Sequence, residues 1–191
     1  CRPETSGGDV WISRSVVVTA IVVAYEEDEC YALIQQRGFA VDNSGEWCLV
    51  CGYLDWDESA DGAIERELFE EAGIDVRALE ADSACRFGKV PVFINSDPGV
   101  SRQNVSMRFS VELNKRVEVS NINAEPGEVL QLKWIPINHQ SISEFSFVFN
   151  HDTILLQLAD WYSAEKTLGI FSESSTRRFY QQQFNSHYPF V

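Results

Sequence analysis

Three glutamates, Glu67, Glu70 and Glu71, are the residues of this sequence best placed to do chemistry. They stand at i, i+3 and i+4 within Ser59 to Ala72, a stretch rich in Ala, Glu, Arg and Leu, free of Pro and with Gly62 as its one glycine. That composition predicts a helix of about three to four turns. On a helix the spacing brings all three carboxylates to one face. Acids so crowded repel one another and add nothing to stability. A hard divalent cation with oxygen ligands, Mg2+ above all, removes the repulsion and puts it to use. The plainer alternative is a solvated acidic face, which any short Glu run allows.

The helix itself needs a start, a stop and an anchor. Ser59 or Asp57 is placed to cap its first turn, and Gly73 falls where a helix end wants left-handed dihedrals. Ile64, Leu68 and Ala72 form an apolar stripe beside the acids. Around it the chain alternates between strand-like and loop-like stretches. Ser15 to Tyr25 reads as a strand buried on both faces. Tyr31 to Gln36 makes a hairpin with it across an acidic turn. Trp47 to Cys51 is a third strand running straight into Gly52. Val76 to Val92 reads as one or two further strands, Asn95 to Gly99 as a turn, and Val105 to Leu113 and Val129 to Ile135 as strands. Ile154, Leu155, Leu158 and Trp161 recur at helical spacing in a second main helix, His151 to Lys166. Strands interspersed with two helices predict an α+β protein, an α/β/α sandwich with a mixed central sheet.

The whole chain sets limits on function. At 191 residues it is long enough for one well-cored domain. The formal net charge of −14 argues against nucleic acid and anionic membranes as partners. It leaves open a small phosphate ester that arrives with its own metal ions. No apolar run approaches the roughly 18–20 residues that span a bilayer, and no signal-peptide pattern is present. The five cysteines are odd in number and irregular in spacing, which predicts free thiols in a reducing, cytoplasmic setting. Cys48 and Cys51 form a C-x-x-C, but on one continuous strand residues three apart face opposite ways. No second C-x-x-C completes a zinc site. Buried thiols are therefore expected there.

Residues 52 to 74, GYLDWDESADGAIERELFEEAGI, resemble the signature box of the Nudix hydrolases at every specified position. These are Gly52, Glu58, Arg66-Glu67, hydrophobic Leu68, Glu70-Glu71, Gly73 and hydrophobic Ile74. The resemblance extends from about Val16 to Trp161 and implies the same sandwich fold. Leu33 to Arg37 resembles the usual strand ending in a basic residue, and Gly45-Glu46-Trp47 the usual lead into the box. The chain departs from the common Pro-Gly-Gly at Val50-Cys51-Gly52. Gly127-Glu128-Val129, then Trp134-Ile135-Pro136, resembles a later loop and strand. Phe149-Asn150-His151-Asp152 resembles a stretch of ADP-ribose-type members, where Asn150 or Asp152 would cap the final helix and His151 would pack or cap. On these grounds residues 15–166 are read as the Nudix domain, 1–14 as a flexible lead and 167–191 as an aromatic extension.

The resemblance implies Mg-dependent hydrolysis of a pyrophosphate bond, with Mn2+ as a substitute cation. Glu67, Glu70 and Glu71 would be metal ligands, joined by the Gly52 carbonyl and by Glu58. Arg66 would orient Glu70 by an i, i+4 ion pair. The general base would be Glu67 or Glu128, with Glu125 the alternative carboxylate from that loop. Arg37 is a candidate for a substrate phosphate. Trp47 is a candidate to stack on a base, as are Phe39, Phe87 and Phe93. Pro91, seventeen residues after Ile74, and the Phe149 stretch favour a nucleoside diphosphate linked to another group, of the ADP-ribose or nucleotide-sugar kind. A nucleoside triphosphate, oxidised or not, is the rival substrate. A non-catalytic nucleotide sensor is the rival class. The extension carries Phe171, Phe179, Tyr180, Phe184, Tyr188 and Phe190; so much ring area predicts that it packs, on its own domain or in a homodimer.

Overall fold

The computed structural model describes residues 14–97 and 104–187, with side chains to 182. The lead before Arg14 lies outside the described residues, as do the end of the turn after Asp97, the side chain of Phe184, and Tyr188 and Phe190. One eight-stranded sheet organises the described chain. β1 (Val16–Glu26) turns back into β2 (Glu29–Arg37). β3 (Trp47–Cys48) and β4 (Val50–Tyr53) follow, then helix α1 (Ala60–Ala72) and the short α2 (Val76–Ala81). Strands β5 (Cys85–Phe87), β6 (Phe93–Asn95), β7 (Val105–Leu113) and β8 (Val129–Pro136) complete the sheet. Helices α3 (His139–Ser143), α4 (His151–Thr167) and α5 (Ser175–His187) close the described chain.

β1 is the centre. It runs parallel to β7 from Val16↔Val105 to Ala24↔Leu113. On its other edge it pairs antiparallel first with β4, from Val17↔Tyr53 to Ala20↔Val50, and then with β2, from Val23↔Ala32 onward. The sheet is therefore mixed, and β2 and β4 diverge from a shared neighbour. β2 continues between β3 and β8. That divergence leaves a wedge at the ends of β2 and β4, and the cleft described below opens there.

The period-two alternation of β1 sorts the core into two layers. Val18, Ala20, Val22 and Ala24 face Ala63, Ile64, Leu68 and Ala72 of α1. Ile21, Val23 and Tyr25 face Ile154, Leu155, Leu158 and Tyr162 of α4. A strand covered on both faces has no polar alternation to show, which is why its sequence is continuously apolar. The α/β/α sandwich is thus formed. Phe179 and Tyr180 of α5 are buried against α4 in the same layer, and Arg178 pairs with buried Glu165 at 2.6 Å. No helix among the described residues is long and apolar enough to cross a membrane.

Two local expectations need correction. The strand expected from Val76 begins as helix α2, because Asp75 caps it by accepting from the Ala78 N–H at 3.0 Å; the strand β5 starts only at Cys85. Asn150 does stand at the start of α4, but at φ 57° its side chain makes no capping bond. Capping geometry needs an extended backbone at that position.

Candidate active site

α1 is capped as expected. The Ser59 hydroxyl accepts from the Gly62 N–H at 3.2 Å, and Gly73 ends the helix at φ 69°. Ile64 and Leu68 fasten it to β1, which fixes Glu67 and Glu71 toward β4. Glu67 is only 7% exposed, and its carboxylate lies flat against Gly52. A Cβ placed on Gly52 would fall 1.8 Å from Glu67 Oε1. The glycine that opens the box is required for this close approach rather than for an unusual backbone angle.

Arg66 holds the cluster's outer side. Its guanidinium donates to both Glu58 oxygens at 2.7 and 3.0 Å, to Glu67 Oε1 at 2.7 Å, to Glu70 Oε2 at 3.0 Å and to the Tyr53 carbonyl at 3.1 Å. Those hydrogen bonds hold the Glu58 carboxyl below its usual range. Glu70 is half-exposed, and its contact with Arg66 is the expected i, i+4 pair.

The inner side is different. Glu71 is buried; its Oε2 accepts from Gln35 Nε2 at 2.9 Å and from the Cys51 N–H at 3.3 Å. Burial, then the charge of Glu67, pushes its carboxyl well above the usual range. Burial likewise pushes Glu67 up to about 7, against the pull of Arg66. Glu128 adds its charge to both, and burial raises it in turn. Two buried acids side by side on a glycine backbone are a donor set of oxygens alone. A hard divalent cation fits such a set and would let both acids ionise.

Glu67, Glu71, Gly52, Glu128 and Arg37 all line one cleft of about 690 Å³. Glu58, Arg66 and Glu70 are not among its lining residues. Trp47 does not reach it. The indole is 8% exposed and packs edge-on against Phe145 at 4.9 Å, so this candidate for base stacking belongs to the core. Phe87 is core as well, while Phe39 is exposed and Phe93 lies under Arg108. Glu125 is exposed on its loop, outside the cleft's lining.

The cleft also contains residues that sequence reasoning missed. Gln35 positions Glu71. Arg108 comes from β7; its buried Nε has no hydrogen-bond partner. Arg37 and Arg108 are the two cationic side chains lining the cleft among the described residues. Phe149 offers a half-exposed ring with the Arg37 guanidinium 4.9 Å from its centre. Phe149 and Asn150 both adopt left-handed dihedrals, at φ 62° and 57°, a costly arrangement concentrated at functional sites. An arginine at an alternating strand position gives no hint of facing a cleft, so Arg108 carried no local signal.

The fold has known counterparts. A family model described as the NUDIX domain matches residues 14–157, and the chain belongs to that family. Among curated proteins none matches it. Solved structures do. The NUDIX domain of NrtR from Shewanella oneidensis, complexed with ADP ribose, aligns with TM-score 0.57 at 18% identity, over 83% of this chain and 90% of that one. A MutT/nudix family protein from Enterococcus faecalis aligns with TM-score 0.61 at 14% identity, over 85% and 66%. A bifunctional NMN adenylyltransferase/ADP ribose pyrophosphatase from Francisella tularensis, complexed with AMP and a manganese ion, aligns with TM-score 0.57 at 24% identity, over 76% and 41%. At these identities the likeness speaks for the fold, and the chain spans less than two thirds of the latter two.

Proposed function

We propose that the protein hydrolyses the pyrophosphate bond of a nucleoside diphosphate joined to a second group, of the ADP-ribose or nucleotide-sugar kind, with Mg2+ or in its place Mn2+. One observation carries this reading. Two buried carboxylates, Glu67 and Glu71, meet the Cys51–Gly52 backbone on the wall of a cleft that also holds two arginines and an exposed ring. Glu67 and Glu71 would hold the cation with Glu70, Glu58 and the Gly52 carbonyl. Bound there, the ion would neutralise phosphate oxygens and acidify a water.

The remaining work falls to the chain's own groups. Arg66 positions the acids by gripping three of them at once. Arg37 and Arg108 bind phosphate oxygens, which a guanidinium matches in shape and charge. The Phe149 ring gives a flat surface for a base. Glu67 is committed to Arg66, whereas Glu128 is half-buried at the cleft with a raised pKa. Glu67 is raised as well but serves the cation, so Glu128, left outside that ligand set, takes the proton of the attacking water. The cysteines with described surroundings, Cys30, Cys48, Cys51 and Cys85, are all free, which supports a reducing, cytoplasmic setting.

The test is to incubate the full chain in Mg2+ with a panel of nucleotides and separate the products. Release of AMP and a sugar phosphate from ADP-ribose, or of the corresponding pair from a nucleotide sugar, is expected. Pyrophosphate released from a nucleoside triphosphate would move the assignment to that substrate class. Tight binding without any turnover would make the domain a sensor.

A further inference from the structure

The C-x-x-C of this chain does not lie on one strand. The ladder breaks at Leu49, so Cys48 belongs to β3, opposite Gln35, and Cys51 to β4, opposite Thr19. The break frees the two side chains from the alternation that would send them to opposite faces. A third residue joins them from far along the sequence. The Trp47 N–H donates to the Ser146 carbonyl at 2.8 Å and the Val148 N–H to the Trp47 carbonyl at 3.0 Å. These bonds dock the start of α4 beside β3. The sulfurs of Cys48 and Cys51 and a ring nitrogen of His151 all lie within 4.8 Å of one another.

We propose that Cys48, Cys51 and His151 form a second metal site, for a soft or borderline cation such as Zn2+ or Cu+. Its donor chemistry is unlike that of the carboxylate cluster. Two sulfurs and an imidazole prefer such ions, whereas carboxylates and carbonyls prefer Mg2+. Ligands about 2.0–2.3 Å from a tetrahedral ion stand about 3.5–3.8 Å apart, so small side-chain adjustments close the group. The ring is already oriented. His151 is buried, and its Nδ1 accepts from the Leu49 N–H at 3.0 Å, so that nitrogen carries a lone pair rather than a proton. That hydrogen bond holds the ring beside both sulfurs, and one imidazole nitrogen and two thiolates would hold the cation.

Arg37 Nη1 stands 4.0 Å from Cys48 Sγ, but its firm partner is Asp42 at 2.6 Å. The long sulfur contact can therefore be given up to an ion. Cys51 is partly exposed, and with His151 it lines the cleft. Three protein ligands leave a fourth position on that side, as in sites that keep a place for water or a substrate group. Cys51 also joins the two sites, because its N–H donates to Glu71 Oε2 at 3.3 Å and Gly52 follows it. On binding, the two thiols release their protons to solvent.

The full chain, reduced and stripped with chelator, is titrated with Co2+ as the spectroscopic stand-in for Zn2+. The expected result is about one tightly held ion per chain with tetrahedral visible bands and thiolate-to-cobalt charge transfer. Zn2+, which takes the same ligands and has no d–d bands, should displace it and bleach the spectrum. Glu70→Gln should keep the spectrum, Cys51→Ser should lose most of the charge transfer, and His151→Gln should shift the visible bands. A spectrum of the oxygen-ligand type without charge transfer, or an unchanged spectrum in a folded Cys51→Ser, would overturn the site. Should the serine variant fail to fold, the thiolate-to-cobalt charge transfer of the unmodified chain decides alone, and its absence is the negative result. A reduced chain that takes no cobalt but closes a Cys48–Cys51 disulfide with glutathione disulfide would also overturn it. None of these readings depends on turnover, so the site stands or falls apart from the proposed hydrolysis.

Discussion

Gly52 and Glu67 define each other. Because the atoms that would meet a Cβ on Gly52 belong to the end of the Glu67 side chain, a Gly52→Ala variant relieves the clash by turning the carboxylate aside. The expected outcome is little change in melting temperature and a fall in turnover of about two to three orders of magnitude, read by comparing calorimetry with kinetics. Glu71→Gln removes a buried acid beside another. It should lower turnover to a similar extent and leave the metal-free protein as stable or more stable, because like-charge repulsion is relieved. Glu67 also predicts a pH dependence. Its carboxyl moves from an ordinary value of 4.5 to about 7, so between these values the folded state binds more protons than the unfolded. Stability of the metal-free protein should therefore fall as pH rises from 4.5 through 7. Melting curves across that range should show the fall, and saturating Mg2+ or Glu67→Gln should reduce it.

At the scale of elements, α5 is part of the fold. Phe179 and Tyr180 pack under α4, and Trp161 meets Phe179 edge-on at 5.8 Å. Removing the chain from Leu168 onward exposes that layer, at about 1.5–3 kcal/mol per ring. The melting temperature should drop by roughly 10 °C. Tyr180 offers a finer probe, since its hydroxyl is buried without a partner. Tyr180→Phe should leave stability unchanged or raise it by about 1 kcal/mol, measured by denaturant titration. The elements also explain what the sequence could disclose. α1 is legible because its caps, its apolar stripe and its acids all lie within fifteen residues or so and obey one helical period. The break at Leu49 is not, since Trp47 to Cys51 carries no Gly or Pro to mark it; it follows from β3 pairing with β2 while β4 pairs with β1. His151 reaches the cysteines only through contacts over 102 positions. Trp47 misled for the same reason, because an indole beside a site and one inside a core look alike until the 145–147 segment is in place.

For the molecule as a whole, charge and topology act together. The net charge of −14 surrounds a cleft whose lining includes Arg37 and Arg108. An anionic substrate would meet the charges of Arg37 and Arg108 inside the cleft, and arrive with its cation. Arg108→Ala should raise KM by about 10-fold or more while preserving the melting temperature, because on the proposed reading its work is to bind phosphate and not to pack the core. The divergence of β2 and β4 from β1 sets this cleft against α1, so the fold brings the arginine side and the carboxylate side together. The most direct test of the account is the Mg2+ dependence of ADP-ribose hydrolysis, measured side by side for the unmodified chain and Glu67→Gln. The account predicts turnover that is nil without the metal, saturates with it, and in the variant falls by orders of magnitude at every Mg2+ concentration. Equal turnover in the two proteins at saturating Mg2+, or hydrolysis that persists in chelator, would contradict it.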